Sequence, residues 1–367
     1  MLFLKKYRWN LNRLKTNRME YKISITSQEQ RAVTDTRKIP FGKVPTEHMF
    51  IAEYKDGAWH NARITPFQNL VLSPMALSLH YGQTVFEGMK AFLMDDGRVN
   101  IFRMEKHYDR FMKSLHRMCM PPVPKELFME AMHQLVQLDS SWVPDEEDGA
   151  LYIRPFMIAS EDRIGVKIAD EYLFMIVCSP AYQYYAQPLN VKVETKYARA
   201  AEGGTGEAKC GGNYGAAFYP TQLAKEEGFD QILWTDAKTH QFIEESGTMN
   251  AMFCIDGTVI TPSLSGTILD GVTRNSLLAI AREANRKVEE RPVSIAELRE
   301  AFKSGKKVEA FGAGTAAVIA PIKSITIDGE KFECYTGDDA TMYRLKNELY
   351  SIRKGLVPDT HHWNYII

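Results

Sequence analysis

From Phe41 onward the chain alternates between short apolar runs of strand length and longer stretches with helical spacing. Met89–Met94 and Val99–Arg103 flank Asp95-Asp96-Gly97, a turn sequence suited to φ > 0, and predict a β-hairpin. Tyr108, Phe111, Met112, Leu115 and Met118 then fall on one stripe, which predicts a helix, and a second is expected over Pro124–Leu138. Leu151–Ile158 and Tyr172–Cys178 read as strands. Ser179–Leu189 carries two prolines and several tyrosines without a period, and is the candidate interdomain linker. Beyond it, strands are expected at Val191–Thr195, Gln231–Thr235, Ala251–Ile255 and Lys307–Phe311. Helices should begin near Tyr214, at Gly271-Val272-Thr273, and at Ser294-Ile295-Ala296-Glu297, which has the form of a capping box. A last amphipathic helix is expected over Ala340–Lys354. The pattern predicts an α/β (α+β) protein: an extension over 1–40, partly disordered, a small domain over 41–178, a linker over 179–189, and a larger strand-rich domain over 190–367.

Length agrees, since 367 residues suffice for two domains with cores of their own. Lys and Arg number 45 against 46 Asp and Glu, leaving no electrostatic footprint for nucleic acid or an anionic membrane. No stretch approaches the ~20 consecutive apolar residues of a membrane span. Cys119, Cys178, Cys210, Cys254 and Cys334 are scattered and form no C-x-x-C pair, so neither a disulfide framework nor a metal site is expected. A reducing compartment fits. Residues 1–18 hold Lys5, Lys6, Arg8, Arg13, Lys15 and Arg18 and no acid, which is compatible with a mitochondrial transit peptide. The segment lacks the serine richness of one and reads as an extension outside the fold, with Met19 as an alternative start.

Four features carry candidate chemistry. In Gly206-Glu207-Ala208-Lys209-Cys210-Gly211-Gly212-Asn213-Tyr214-Gly215, glycines let the backbone beside Lys209 approach a ligand. A partly desolvated lysine there becomes a Schiff-base nucleophile; a surface turn with a solvated lysine is the alternative. Glu244-Glu245-Ser246-Gly247-Thr248-Met249-Asn250 places carboxylates at a strand end, where one can keep a pyridinium nitrogen protonated. Two solvated glutamates are the alternative. Gly271-Val272-Thr273-Arg274 opens a helix, whose free amides and threonine hydroxyl suit an anion, unless Thr273 serves as an ordinary N-cap. Gly312-Ala313-Gly314-Thr315-Ala316-Ala317 matches a dinucleotide fingerprint, but Pro321 follows too soon for the long helix that motif must open. A glycine turn offering amides and Thr315 to a phosphate or carboxylate fits better. A lysine, a carboxylate and two anion sites form the inventory that pyridoxal phosphate requires.

At these residues the sequence closely resembles the branched-chain amino-acid aminotransferases, fold-type IV pyridoxal-phosphate enzymes. The resemblance runs from Phe41 to the C-terminus and includes Pro66-Phe67-Gln68-Asn69-Leu70, Leu79-His80-Tyr81-Gly82, Phe86-Glu87-Gly88-Met89-Lys90-Ala91-Phe92 and Tyr152-Ile153-Arg154-Pro155. It implies that Lys209 forms the internal aldimine and shuttles the substrate's Cα proton, that Glu245 pairs with the pyridine nitrogen, and that Tyr214 faces the phenolic oxygen. Glu244 resembles a non-catalytic neighbour. Arg110, Val272, Thr273 and Thr315 are implied for the phosphate, and Leu269 beside the cofactor. Arg110 lies opposite the apolar stripe of its helix, so periodicity alone makes it solvated. Phe41, Tyr81, Phe86, Tyr152, Tyr182 and Met249 would line the substrate pocket, with Thr248 and Ala316 presenting amides to the α-carboxylate and Arg154 meeting the distal carboxylate of glutamate. Val166 sits in a loop that in this family reaches the partner's pocket, which implies a homodimer.

Mammalian members carry a C-x-x-C pair after the glycine turn; this chain has Ala317-Val318-Ile319-Ala320. The redox switch tied to that pair is therefore not expected, and a cytoplasmic, biosynthetic role is favoured. The expected reaction is ping-pong amino transfer between L-leucine, L-isoleucine or L-valine and 2-oxoglutarate. A D-amino-acid aminotransferase or an aminodeoxychorismate lyase shares the fold. A nicotinamide oxidoreductase using Gly312–Ala317 is the rival from another class.

Overall fold

The computed structural model describes residues 22–26, 40–182, 185 and 187–367. The transit-peptide reading of residues 1–18 and most of the expected extension lie outside these residues. The first sheet contains Ser24–Ile25 (β1), His48–Lys55 (β2), Ala58–Pro66 (β3), Thr84–Phe86 (β4), Met89–Leu93 (β5), Val99–Phe102 (β6), Ala150–Ala159 (β7) and Tyr172–Ala181 (β8). Its order is β1-β3-β2-β8-β7-β5-β6, with β4 beside β7. The expected hairpin is β5–β6, turning at Gly97 with φ 83°.

The second sheet is built from Leu189–Glu194 (β9), Gln231–Thr235 (β10), Phe242–Ser246 (β11), Met249–Ile255 (β12), Thr258–Thr261 (β13), Val288–Glu290 (β14), Val293–Ser294 (β15), Val308–Gly314 (β16), Val318–Ile327 (β17) and Glu330–Glu333 (β18). It runs β14-β13-β12-β16-β17-β9-β10-β11-β15. A further pairing of β11 with β12 closes β12-β16-β17-β9-β10-β11 into a ring. β8 extends to Ala181 and β9 begins at Leu189, so both ends of the expected linker 179–189 are strand. The strand Asn364–Ile366 (β19) returns to the first sheet beside β6.

Helices Leu77–Tyr81 (α1), Met104–Arg117 (α2) and Lys125–Leu138 (α3) belong to the first half, and Gly211–Glu226 (α4), Val272–Glu283 (α5), Ile295–Lys303 (α6) and Thr341–Lys354 (α7) to the second. Phe111 and Leu115 of α2 and Phe128 of α3 pack with Phe50, Ile153 and Phe174 of the first sheet. Leu233, Ile243, Phe253 and Ile322 pack together from strands of the ring. Leu277 of α5 and Leu345 of α7 share a core with Phe311, and also with Phe92, Phe102 and Trp363, so this core joins the two sheets.

Two features depart from the pattern-based expectation. The Ser294 hydroxyl accepts the Glu297 amide at 3.0 Å, but the Glu297 carboxylate turns to Arg291 rather than back to the cap, so only half of the capping box forms. The chain after the glycine turn is the long strand β17, although Pro321 lies within it. β9 pairs with β17 only from Ile322 onward, so Pro321 sits where that ladder has not begun.

Candidate active site

Glu245 pairs with Asn250 across β11–β12, and Asn250 with Ala313 across β12–β16. Directly opposed residues share a face, so the three stand side by side. They form one wall of a cavity of about 340 Å³ that the first sheet faces through Phe86, Gly88, Tyr152 and Arg154. The volume lies at the small end of the usual range for ligand sites.

Lys209 enters this cavity just ahead of α4. Its amide donates to Ser114 Oγ at 2.9 Å, and its carbonyl accepts the Phe86 amide at 3.0 Å, which pins the peptide from both sides. Its Nζ donates to the Tyr214 hydroxyl at 2.9 Å and lies 4.7 Å from the centre of the Phe86 ring. The solvated-lysine alternative does not describe this residue.

Glu245 Oε1 accepts the Leu269 amide at 2.8 Å, and Oε2 lies 3.2 Å from Arg199 Nε, an ion-pair distance without a directed hydrogen bond. Burial raises its carboxyl above the ordinary value, opposed by Arg199, the Leu269 amide and Lys209. A buried carboxyl facing a cavity is suited to accepting an N–H from a protonated ring. Glu244 is not the solvated neighbour expected from its turn-like surroundings. It is 7% exposed, its Oε1 accepts the Thr267 hydroxyl, and burial raises its carboxyl as well.

The anion site gathers residues from both halves. The N-cap of α5 is Gly271 and makes no side-chain cap, so Thr273 lies inside the helix and the N-cap alternative for it fails. Val272 and Thr273 line the cavity beside Arg110. A Cβ on Gly271 would meet Asn250 Oδ1 at 1.8 Å, so a larger residue there would push the Asn250 side chain from its bond to the Leu269 carbonyl. Arg110 is 5% exposed, because α2 packs its apolar stripe on the first sheet while the 270 region covers its other face. Its Nε and Nη2 donate to Glu87 at 2.7 and 2.8 Å, and its Nη1 donates to the Asp270 carbonyl at 3.1 Å. Burial alone would raise the Glu87 carboxyl, but Arg110 and His107 outweigh it and hold the group well below the carboxylate range. Such a fork–fork pair fixes the guanidinium plane.

Thr315 and Ala316 come from the turn joining β16 to β17, which is a hairpin and not the start of a nucleotide-binding helix. Phe41 packs edge-on against Tyr152 at 4.9 Å, and Arg154 Nη2 donates to the Tyr152 hydroxyl at 3.0 Å. The Arg154 guanidinium also lies 4.7 Å from the centre of the Phe86 ring. Thr248, Met249 and Leu269 complete the expected lining.

Tyr81 and Tyr182 do not line the cavity of this chain. Tyr81 ends α1, is 45% exposed and donates its hydroxyl to the Ile164 carbonyl. Tyr185, not Tyr182, reaches the cavity, and the tyrosine-rich segment contains no pattern that would distinguish them. Val166 is 77% exposed. Sequence reasoning does not place Asn250, Gly88, Glu87, His107 or Arg199 in these positions, although Glu87, Gly88 and Asn250 fall in the motifs named above. The lysine, the buried carboxyl and the open helix N-terminus with its guanidinium fit pyridoxal phosphate. Among the described residues there is no cluster suited to a metal ion, and no helix is long and apolar enough to cross a membrane.

The description of class IV amino-transferases matches residues 84–325. The branched-chain-amino-acid aminotransferase 2 of Bacillus subtilis (strain 168) is 40% identical over 347 residues, 93% of this chain and 95% of its own. The branched-chain-amino-acid transaminase 1 of the same strain is 42% identical over 335 residues, covering 90% and 94%. The chain belongs to the branched-chain aminotransferase family. Its fold is the one seen in branched-chain aminotransferases: the Thermobaculum terrenum enzyme in its PLP form superposes with a TM-score of 0.71 at 22% identity, over 86% of this chain and 97% of that one.

Within this branched-chain aminotransferase, activity is expected to resist mild thiol oxidation. The two positions of the C-x-x-C pair are Ala317 and Ala320, and Cys178, Cys210, Cys254 and Cys334 are buried. Hydrogen peroxide should modify the exposed Cys119 first and leave turnover unchanged. Reversible inactivation that disappears in Cys210→Ser would contradict this.

Proposed function

We propose that the chain catalyses reversible amino transfer between L-leucine, L-isoleucine or L-valine and 2-oxoglutarate, with pyridoxal phosphate held in the cavity. The observation that carries this reading is the convergence of Lys209 Nζ, the Glu245 carboxyl and the Arg110–α5 anion site on one space. When bound, the cofactor supplies the electron sink for a carbanion at the substrate's Cα. Lys209 holds the cofactor through Nζ and carries the proton taken from Cα. Tyr214 orients that nitrogen, and Glu245 keeps a proton at the ring nitrogen. Arg110, the Val272 and Thr273 amides and the Thr315 hydroxyl hold the phosphate, with Leu269 supporting Glu245. The Thr248 and Ala316 amides take the α-carboxylate. Phe41, Phe86, Tyr152 and Met249 wall the side-chain pocket, where apolar burial is worth ~0.8 kcal/mol per CH₂.

The working form we propose is a homodimer. Leu79, Tyr81, Ile164 and Val166 are all exposed, and the Tyr81 hydroxyl bonds the Ile164 carbonyl, which brings the end of α1 against the loop that holds Val166. In a dimer these residues would complete the partner's pocket, which gives Tyr81 its substrate role, and Tyr182 would act nearby. The expected small and large domains correspond to the first and second sheets, except that β19 of the second half joins the first sheet. A cytoplasmic location accords with the free cysteines.

Borohydride reduction after incubation with pyridoxal phosphate, followed by peptide mapping, should place the label on Lys209. A label on Lys90 would overturn the assignment. Discharge of the bound cofactor by L-leucine, L-isoleucine, L-valine and L-glutamate, but not by D-alanine, should accompany it; D-alanine activity would favour the D-amino-acid enzymes of the same fold.

A further inference from the structure

Lys90 belongs to the Phe86–Phe92 motif and has no part in the chemistry above. It stands on β5 directly opposite Tyr152 of β7. Opposed residues share a face, so its side chain leaves the first sheet on the cavity side. The stem crosses to the second sheet, where Nζ donates to the Ala316 carbonyl at 2.7 Å. Lys90 is 6% exposed, and no carboxylate forms an ion pair with it among the described residues. Burial pushes its ammonium down to about 7, with Arg353 and Lys346 adding repulsion and Asp148 opposing them. An apolar residue would fill this space at lower cost, so the hydrogen bond is the reason for a lysine. Either protonation state of the amine can donate it.

The turn that Lys90 holds is under strain. Val318 closes it at φ 62°, a conformation that a β-branched residue rarely adopts and that persists only where the surroundings enforce it. In a planar trans peptide the N–H points opposite to the C=O, so fixing the Ala316 carbonyl fixes the 316–317 peptide plane and, by limiting rotation about the Ala316 Cα, steadies the Ala316 N–H assigned to the α-carboxylate. Thr315, Ala316 and Ala317 all line the cavity.

We propose that Lys90 is a positioning residue for carboxylate recognition, holding the 315–317 turn from across the cavity so that its amides meet the substrate's α-carboxylate. This rests on reading the cavity as an aminotransferase site. Lys90 touches the turn and not the substrate. Its effect should therefore fall on binding of every carboxylate substrate alike, and little on cofactor uptake.

The test compares wild type with Lys90→Met, which keeps the volume and removes the donor, and Lys90→Gln, which keeps a shorter donor. Cofactor uptake is read from the visible band, carboxylate affinity from its perturbation by 4-methylpentanoate, and stability from Tm. Lys90→Met should take up pyridoxal phosphate as wild type does, but bind 4-methylpentanoate about tenfold more weakly. It should raise KM for leucine and 2-oxoglutarate together, with kcat falling less; Lys90→Gln should recover part of the loss. A lowered Tm with unchanged 4-methylpentanoate affinity and KM in both variants would reduce Lys90 to a strap between the sheets. If Lys90→Met fails to fold, Lys90→Gln decides on the same readouts. A wild type that takes up no cofactor overturns the aminotransferase reading itself, whereas normal uptake with unaltered carboxylate affinity overturns only the role of Lys90.

Discussion

Glu245→Gln is expected to slow amino transfer by roughly 10²- to 10³-fold while the protein still takes up its cofactor. The carboxyl stands in a register row with Asn250 and Ala313, is anchored by the Leu269 amide, and is buried beside Arg199. Glutamine keeps the shape and the Leu269 bond but loses the charge that stabilises a proton on the ring nitrogen. Single-turnover rates with leucine measure the loss. Glu244→Gln is the matched comparison, because Glu244 is buried too and bonded to Thr267. Its rate should change by no more than a few-fold, since glutamine can still accept from Thr267. Both carboxyls are raised by burial. A carboxyl whose folded value lies above its unfolded value contributes most to stability at low pH, and that contribution falls as pH rises through the raised value. Glu244→Gln should therefore flatten the decline of Tm across that window. Equal losses of rate in the two variants would defeat the assignment of Glu245.

The second large effect is expected at Arg154. A ping-pong enzyme must admit leucine in one half-reaction and glutamate in the other, and a buried carboxylate without a partner costs several kcal/mol. Arg154 lines the cavity, holds the Tyr152 hydroxyl and lies near the faces of Phe86 and Tyr152. The aromatic faces keep the guanidinium packed when the substrate is leucine, and the charge is available when it is glutamate. Arg154→Met should lower kcat/KM for glutamate and 2-oxoglutarate by roughly 10²-fold or more, as for losing a charge-assisted pair worth ~2–5 kcal/mol. The leucine half-reaction should change by less than about tenfold, since its side chain loses no charged contact. Parallel losses in both halves would mean that Arg154 supports the pocket walls instead of selecting the second substrate.

What the sequence made legible divides along physical lines. Lys209 and the helix start at Gly271 stood out because glycine beside a reactive group or an open N-terminus is a local signal. The hairpin at Gly97 and the helices at 104–117 and 125–138 were readable from period alone. Arg110 was not, because both faces of α2 are covered and a period predicts only the apolar one. Its partner Glu87 lies 23 positions away, and no local pattern announces an ion pair made across the fold. Period does not reveal β2, because most of its residues are buried, which erases the alternation of a half-exposed strand. Nor does it reveal β17, because a proline reads as a stop unless the strand beside it begins one residue later.

The strand that covers β6 is β19, at residues 364–366, and Asn100 of β6 donates to Asn364 across that seam at 2.8 Å. During synthesis, β6 and the rest of the first sheet are made well before their last neighbour exists. Until it arrives, β6 presents an open edge, and every residue of that strand is apolar or destined for burial. The first sheet is therefore finished only after the second half of the chain has emerged. Until residues 364–366 are made, that edge stays open, and it is their arrival that seals it.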